Sequence, residues 1–223
     1  MDTVDSGVGL CISVPTPRHT SPRTTRPEIP NTKHQTSNMA SFYDTTIPQL
    51  RKINDAAINI LTVAQTEIAN GLAITESEML DASFSKMLPF RMQPTLLATF
   101  EMAPITKLNL SSADIPRIDS ASFTSFDSVI ELHKALNAVL DSVSRDAWNE
   151  AADKGFAVGM GGKTLNVTAL KDYVEGFMVP HCWFHLNAMY MLLRSKGFML
   201  GKGVFVGAWM SETLKNDFAA MRE

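Results

Sequence analysis

The stretch Val179-Pro-His-Cys-Trp-Phe-His-Leu-Asn-Ala-Met-Tyr190 lies inside the longest apolar helical pattern of the chain. It carries two histidines one helical turn apart, His181 and His185. Residues at positions i and i+4 project from the same face of a helix, so we expect the two imidazoles to lie side by side. Such a pair can hold a metal ion, a substrate or a proton.

The apolar pattern around this stretch predicts a long helix that begins at Thr168 and ends at Lys196 and Gly197. A basic last turn followed by glycine is typical of a helix C-terminus. Two short β-prone runs, residues 156–158 and 164–167, flank a glycine-rich turn just before this helix. They predict a β-hairpin.

Three more amphipathic helices are predicted before the hairpin. The first begins at Ser41, has an apolar face over about seven turns, and ends at Asn70 and Gly71. The second covers about residues 93–108 and contains Pro104, which should bend it. The third begins after a cap at Thr124 or Ser125. Four long helices with one hairpin predict an all-α fold, a four-helix bundle.

Composition divides the chain into three parts. Residues 1–38 are rich in Pro, Thr, Ser and Arg and carry almost no large apolar groups, so we expect a disordered tail. Translation from Met39 is an alternative that would omit this tail. Residues 39–207 are predicted to form the bundle, with residues 198–207 extended. Residues 208–223 are expected to be an extension with a short helix.

The overall composition argues against two classes of partner. The net charge is −3 and no basic cluster is present, which disfavours nucleic acid. No apolar run approaches the roughly twenty residues that a membrane-spanning helix needs. The two cysteines, Cys11 and Cys182, imply no disulfide framework and suit the reducing cytoplasm.

Four residues are candidate metal ligands. His181, His185 and His133 all fall on apolar helix faces, and Glu101 is the only carboxylate in the middle of the second long helix. Together they would suit a divalent metal such as Zn, Fe, Mn or Ni. The alternatives are core histidines that are each satisfied by a hydrogen bond, a His133 that reaches water, and a Glu101 that faces solvent.

The same residues offer acid–base chemistry without a metal. His185, assisted by His181, can act as a general base or acid, and Tyr190 can donate a proton. The alternative for Tyr190 is a packed ring with its hydroxyl in water.

Two segments resemble a known family. They are Met39-Ala-Ser-Phe-Tyr-Asp-Thr-Thr-Ile-Pro48 and the C-terminal motif of Val179–His185, Tyr190 and Leu200-Gly-Lys-Gly-Val-Phe-Val-Gly207. They resemble a small DinB-related family of bacteria and fungi that is catalogued as a domain of unknown function. The resemblance covers about residues 39–207. It implies a DinB/YfiT-like four-helix bundle.

Many DinB-like proteins carry a metal on three histidines, one from the second helix and an H-x-x-x-H pair from the last long helix. Here His185 matches the family's histidine, while His181 replaces the usual Asn and restores the H-x-x-x-H spacing. The second-helix position falls near Pro104, which supplies no ligand. The expected site is therefore altered and consists of His181, His185 and either His133 or Glu101.

The resemblance also implies dimers, and some relatives are thiol-dependent transferases or isomerases. We therefore expect a cytoplasmic homodimer that binds a small molecule in a pocket lined by His181, His185, Tyr190 and His133. It would act as a metal- or His-dependent tailoring enzyme, a transferase, isomerase or hydrolase, in fungal secondary metabolism. The alternative is a non-catalytic dimeric binding or scaffold protein with structural core histidines.

Overall fold

The computed structural model describes residues 40–221, so the predicted disordered tail, residues 1–38, lies outside the described residues. The described part is mostly helical, with one antiparallel hairpin before the last long helix, as the sequence predicts. The α-helices and strands are, in chain order, α1 (Phe42–Ala69), α2 (Glu76–Asp81), α3 (Met92–Lys107), α4 (Phe126–Asp141), α5 (Arg145–Glu150), β1 (Phe156–Met160), β2 (Lys163–Val167), α6 (Leu170–Tyr173), α7 (Val179–Ser195), α8 (Lys202–Val206) and α9 (Glu212–Asp217). Short 3₁₀ turns cover Ser120–Ser122 and Ala219–Met221.

The helix α1 begins and ends where the sequence signals predict. The Ser41 hydroxyl accepts a hydrogen bond from the Asp44 backbone N–H, and the Asp44 carboxylate accepts one from the Ser41 N–H. This capping box satisfies free backbone donors at the helix N-terminus. The chain leaves the helix through Asn70 and through Gly71, whose φ of +101° lies in the left-handed region.

The four long helices pack as the corners of a square. The helix α1 contacts α4 and α7, and α3 contacts the same two helices from the other side. Consequently α1 lies diagonally opposite α3, and α4 lies diagonally opposite α7. The hairpin adds its first strand, β1, to the outer side of α3.

Pro104 lies inside α3, and the helix continues past it to Lys107. A proline has no N–H, so the Phe100 carbonyl four residues earlier lacks its helical hydrogen bond. The Tyr173 hydroxyl at the end of α6 donates to this carbonyl at 3.2 Å. Because of the proline, the Phe100 carbonyl is free to accept this hydrogen bond, which connects the segment after the hairpin to α3.

The last long helix is continuous but not uniform. Residues Val174–Met178 between α6 and α7 form a π-helical turn, whose hydrogen bonds run from residue i to residue i+5. Together α6, the π turn and α7 cover Leu170–Ser195, close to the helix predicted from Thr168 to Lys196. The apolar period does not reveal the change of helix type within it.

Two other segments differ from the prediction. Residues 198–207 were expected to be extended, but α8 occupies Lys202–Val206 and contacts α1. The short helix α5, which is capped by Ser144, was not predicted from the sequence. Both are too short for a clear apolar period. None of the helices within residues 40–221 has the length and apolar character needed to cross a bilayer.

Candidate functional site

His181 and His185 lie side by side on α7, as their spacing predicts. Their ring centroids are 4.4 Å apart and the ring planes are inclined by 70°. They continue a column of rings that begins with Tyr173 and Phe177, each four residues before the next.

His185 is held by a side-chain amide from α3. Its Nδ1 lies 2.8 Å from the Gln93 Oε1, and the Gln93 Nε2 donates to the Leu88 carbonyl at 2.9 Å. Because the second bond fixes the amide, Oε1 must accept the proton of Nδ1. The other nitrogen, Nε2, then presents a lone pair.

Both imidazoles of the pair favour the neutral form. Burial lowers the pKa of His185 to about 4, and the neighbouring His181 adds to the shift. Burial also lowers the pKa of His181, although a backbone hydrogen bond with Leu96 opposes the change. The His181 Nε2 is buried without a hydrogen-bond partner. A neutral imidazole with a free lone pair is a proton acceptor.

A cleft of about 480 Å³ runs between α3 and the hairpin. Its walls are mainly apolar and carry one charged side chain, at Lys163. The lining residues are Leu96, Thr99, Phe100, Gly159, Met160, Gly161, Gly162, Lys163 and Thr164. The His181 ring packs edge-on against Phe100, with ring centroids 4.6 Å apart, so it lies directly behind the cleft wall. The volume falls within the usual range of small-molecule sites.

The other two predicted ligands lie in a separate group at the bundle centre. The His133 Nδ1 is 2.8 Å from the Asn54 Oδ1, and the Asn54 Nδ2 donates to the Glu101 Oε1 at 3.0 Å. All three side chains are fully buried. Burial lowers the pKa of His133 to about 3 and raises that of Glu101 to about 8, so both groups are neutral near pH 7.

The inward orientation predicted for His133 is confirmed, and the alternative that it reaches water is wrong. The alternative of a solvent-facing Glu101 is also wrong, since its side chain is 0% exposed. Among residues 40–221, no three or more His, Cys, Asp or Glu side chains are placed to hold a metal ion. The structure thus divides the four predicted ligands into two pairs, which do not fit one metal site. Metal binding stays a prediction.

Tyr190 lies away from the histidine pair. Five residues along a helix correspond to a rotation of about 140°, so Tyr190 and His185 point in different directions. The Tyr190 hydroxyl donates to the Leu200 carbonyl at 2.8 Å, and its ring packs edge-on against Phe205. In this arrangement Tyr190 fastens the C-terminal segment to α7.

Two residues of these sites were not identified from the sequence. Asn54 lies on the same apolar face of α1 as Leu50 and Ala57. A polar amide on an apolar helix face is the sequence signal that could have identified it. Gln93 gave no comparable signal, because a polar residue in the first turn of a helix is common. Both amides orient a histidine.

The chain belongs to the family described as a domain of unknown function, DUF1993, which matches residues 42–206. Among solved structures, it resembles the crystal structure of a DinB family member protein from Shewanella denitrificans. The TM-score is 0.60 at 18% sequence identity, and the match covers 74% of this chain and 91% of the other. This likeness shows a DinB-like fold. No curated protein matches the chain.

Proposed function

We propose that the chain binds a small molecule in the cleft between α3 and the hairpin, and that the neighbouring histidine pair handles a proton of that molecule. The observation that carries the proposal is the oriented pair beside the cleft. His185 is fixed by Gln93, His181 contacts His185, and Phe100 of the cleft wall contacts His181. A base held by a third group next to a cleft is the usual arrangement of a general base.

In this proposal the proton moves from the ligand to His181, which lies behind Phe100, and His181 passes a proton to the Nε2 of His185. The Gln93 Oε1 then stabilises the His185 imidazolium through Nδ1–H. Phe100 and Met160 contact the apolar part of the ligand. The reaction class is a transfer, isomerisation or hydrolysis that begins with proton removal. A cytoplasmic location is part of the proposal and is supported by the buried free thiol of Cys182.

A screen with a fragment library of one- and two-ring compounds tests the proposal. We expect ligands of the cleft to shift the NMR signal of the Met160 methyl group. Thr99→Trp should fill the cleft and abolish these shifts, whereas Asn187→Ala on the exposed face of α7 should preserve them. If no fragment shifts the Met160 signal in the parent protein, the cleft is not a ligand site.

The role of the histidines is tested separately. His185→Gln and His181→Gln should weaken binding of fragments that carry an acidic proton. They should leave the binding of matched fragments without that proton nearly unchanged. Equal losses for both fragment types would mean that the histidines only shape the cleft.

A second candidate function, dimeric binding, is favoured by an apolar patch on α7. The patch consists of the exposed Phe184 and Met191 of α7 and of Phe84 and Met87 from the α2–α3 loop. All of these except Phe184 border a groove whose floor includes the buried Ala188. Phe84, Phe184 and Met191 are each more than 60% exposed. Exposed apolar clusters of this kind commonly mark interaction surfaces.

A second copy of the chain is the partner that this patch fits. The sequence from Val179 to Leu193 contains no Asp, Glu, Lys or Arg, so two copies can meet there without like-charge repulsion. Three aromatic or Met side chains at this exposure offer on the order of 400 Å², about half of what one partner contributes to a stable dimer. The neighbouring residues of α7 and of the α2–α3 loop would supply the remainder.

Sedimentation across a concentration series tests this candidate. The parent protein should dimerise, and Met191→Glu should produce monomers. Met199→Glu is the matched control, because Met199 is 77% exposed and lies outside the patch. A monomeric parent protein, or a dimer that survives Met191→Glu, would exclude the patch as the interface.

A further inference from the structure

The bundle centre contains two buried polar atoms that have no partner. They are the second carboxyl oxygen of Glu101, Oε2, and the second ring nitrogen of His133, Nε2. Both residues are 0% exposed. A buried polar atom without a hydrogen bond costs about 1–3 kcal/mol, and such atoms usually have a water or ligand partner.

The bonds to Asn54 determine what each of these two atoms can do. The Asn54 Nδ2 donates to Glu101 Oε1, so the Asn54 Oδ1 faces His133 and must accept from Nδ1–H. A neutral His133 therefore presents a lone pair at Nε2. A neutral Glu101, which accepts at Oε1, carries its proton on Oε2. The two atoms are thus one donor and one acceptor.

Three simpler partners for these two atoms are not available among the described residues. They do not bond each other, since neither has a hydrogen-bond partner among the described residues. A metal ion has too few ligands, because no group of three candidate side chains converges within residues 40–221. The nearby thiol of Cys182 is directed at the Leu97 carbonyl, 3.9 Å from its Sγ.

We propose that the bundle centre is a binding site for one internal water molecule that joins Glu101 to His133. The water accepts a hydrogen bond from the Glu101 Oε2–H and donates one to the His133 Nε2. With the two bonds of Asn54 it completes a ring of four hydrogen bonds that all run in the same direction. Buried waters typically fill this role, with two to four polar partners each.

This site is separate from the histidine pair and does not depend on the proposed function. Its residues come from α1, α3 and α4, whereas His181 and His185 belong to α7. The proposed ligand is a single water molecule, because Glu101 offers one donor and His133 offers one acceptor.

A crystal structure of the full chain at neutral pH tests the proposal. We expect one well-ordered water within hydrogen-bond distance of both Glu101 Oε2 and His133 Nε2. Glu101→Gln should keep this water, because its amide still accepts from Asn54 and donates to the water. Glu101→Leu should lose it. Electron density without a water there, or a direct bond between Glu101 and His133, would overturn the proposal.

NMR of the parent protein in solution gives a second test, which does not depend on whether any variant folds. The ¹⁵N shifts of His133 should show a neutral ring protonated at Nδ1, with Nε2 as an acceptor. Cross-relaxation should connect a long-lived water to the His133 ring protons. A ring protonated at Nε2, or the absence of the water signal, would contradict the ring of hydrogen bonds.

Discussion

His133 and His185 use the same contact in two different surroundings. Each places Nδ1 2.8 Å from a side-chain amide oxygen, that of Asn54 for His133 and that of Gln93 for His185. The Asn54 amide continues to a buried carboxyl group, whereas the Gln93 amide continues to a backbone carbonyl. One pair is sealed in the bundle centre and the other lies near a cleft. In our proposal the next neighbour and the nearby cleft, rather than the histidine–amide contact itself, separate the structural role of His133 from the proton-handling role of His185.

The largest expected difference between the two regions is in stability. Asn54→Ala removes the only described partner of both Glu101 and His133. We expect it to lower the free energy of unfolding by roughly 2–5 kcal/mol, since two buried polar groups lose hydrogen bonds. Urea unfolding measures this change. Asn187→Ala, an exposed Asn on α7, should stay within about 0.5 kcal/mol of the parent protein. Similar decreases in the free energy of unfolding for both variants would show that the buried Asn54 contributes no more to stability than an exposed Asn.

The pH dependence of stability should also distinguish the centre. The pKa of Glu101 rises from 4.5 to about 8 on folding, so the folded state binds more protons between these values. Stability therefore falls as pH rises from about 4.5 to 8, by at most about 5 kcal/mol. Glu101→Gln should abolish this decline in urea unfolding at a series of pH values. A decline that persists in the variant would point to another group.

His133 gives the opposite slope at low pH. Its pKa falls from 6.5 to about 3 on folding, so the unfolded state binds more protons between these values. Stability should then decrease as pH falls from about 6.5 towards 3. The lowered pKa of His185 adds a second slope of the same sign, and Glu101 acts in the other direction, so maximum stability is expected near pH 6.5.

A smaller effect is expected at the edge of the bundle. Gln93→Leu removes one hydrogen bond from His185, and we expect a loss of about 1–2 kcal/mol in the free energy of unfolding. The more informative readout is the ¹⁵N spectrum of His185, which should change from one tautomer to a mixture. A spectrum that keeps the single Nδ1–H tautomer would show that Gln93 does not orient the ring.

The smallest effect concerns metals. Because no three ligands converge within residues 40–221, we expect untagged protein to contain well under one Zn, Ni, Fe or Mn ion per chain. Elemental analysis of the parent protein and of His181→Ala gives the answer. One metal ion per chain that disappears in the variant would support the metal site predicted from the sequence.

The sequence predicts the helices well because their apolar faces repeat every three to four residues over many turns, as in α1. It does not predict α5, α8 or the π turn at Val174–Met178, which are too short to repeat. The histidine pair is local and follows from spacing alone. The partners of the histidines are not local. Gln93 is 92 positions from His185 in the sequence. Asn54 and Glu101 are 47 positions apart and lie on two diagonally opposite helices.

The mid-helix proline also has a consequence for how the cleft between α3 and the hairpin is built. The α3 side of the cleft includes Phe100, and the carbonyl of this same residue receives the hydroxyl of Tyr173 a few residues beyond the hairpin. The two sides of the opening are therefore joined at Phe100, whose carbonyl has no helical hydrogen bond because of Pro104. A molecule that pushed the two sides apart would strain this hydrogen bond, so the bond limits how far the opening can widen.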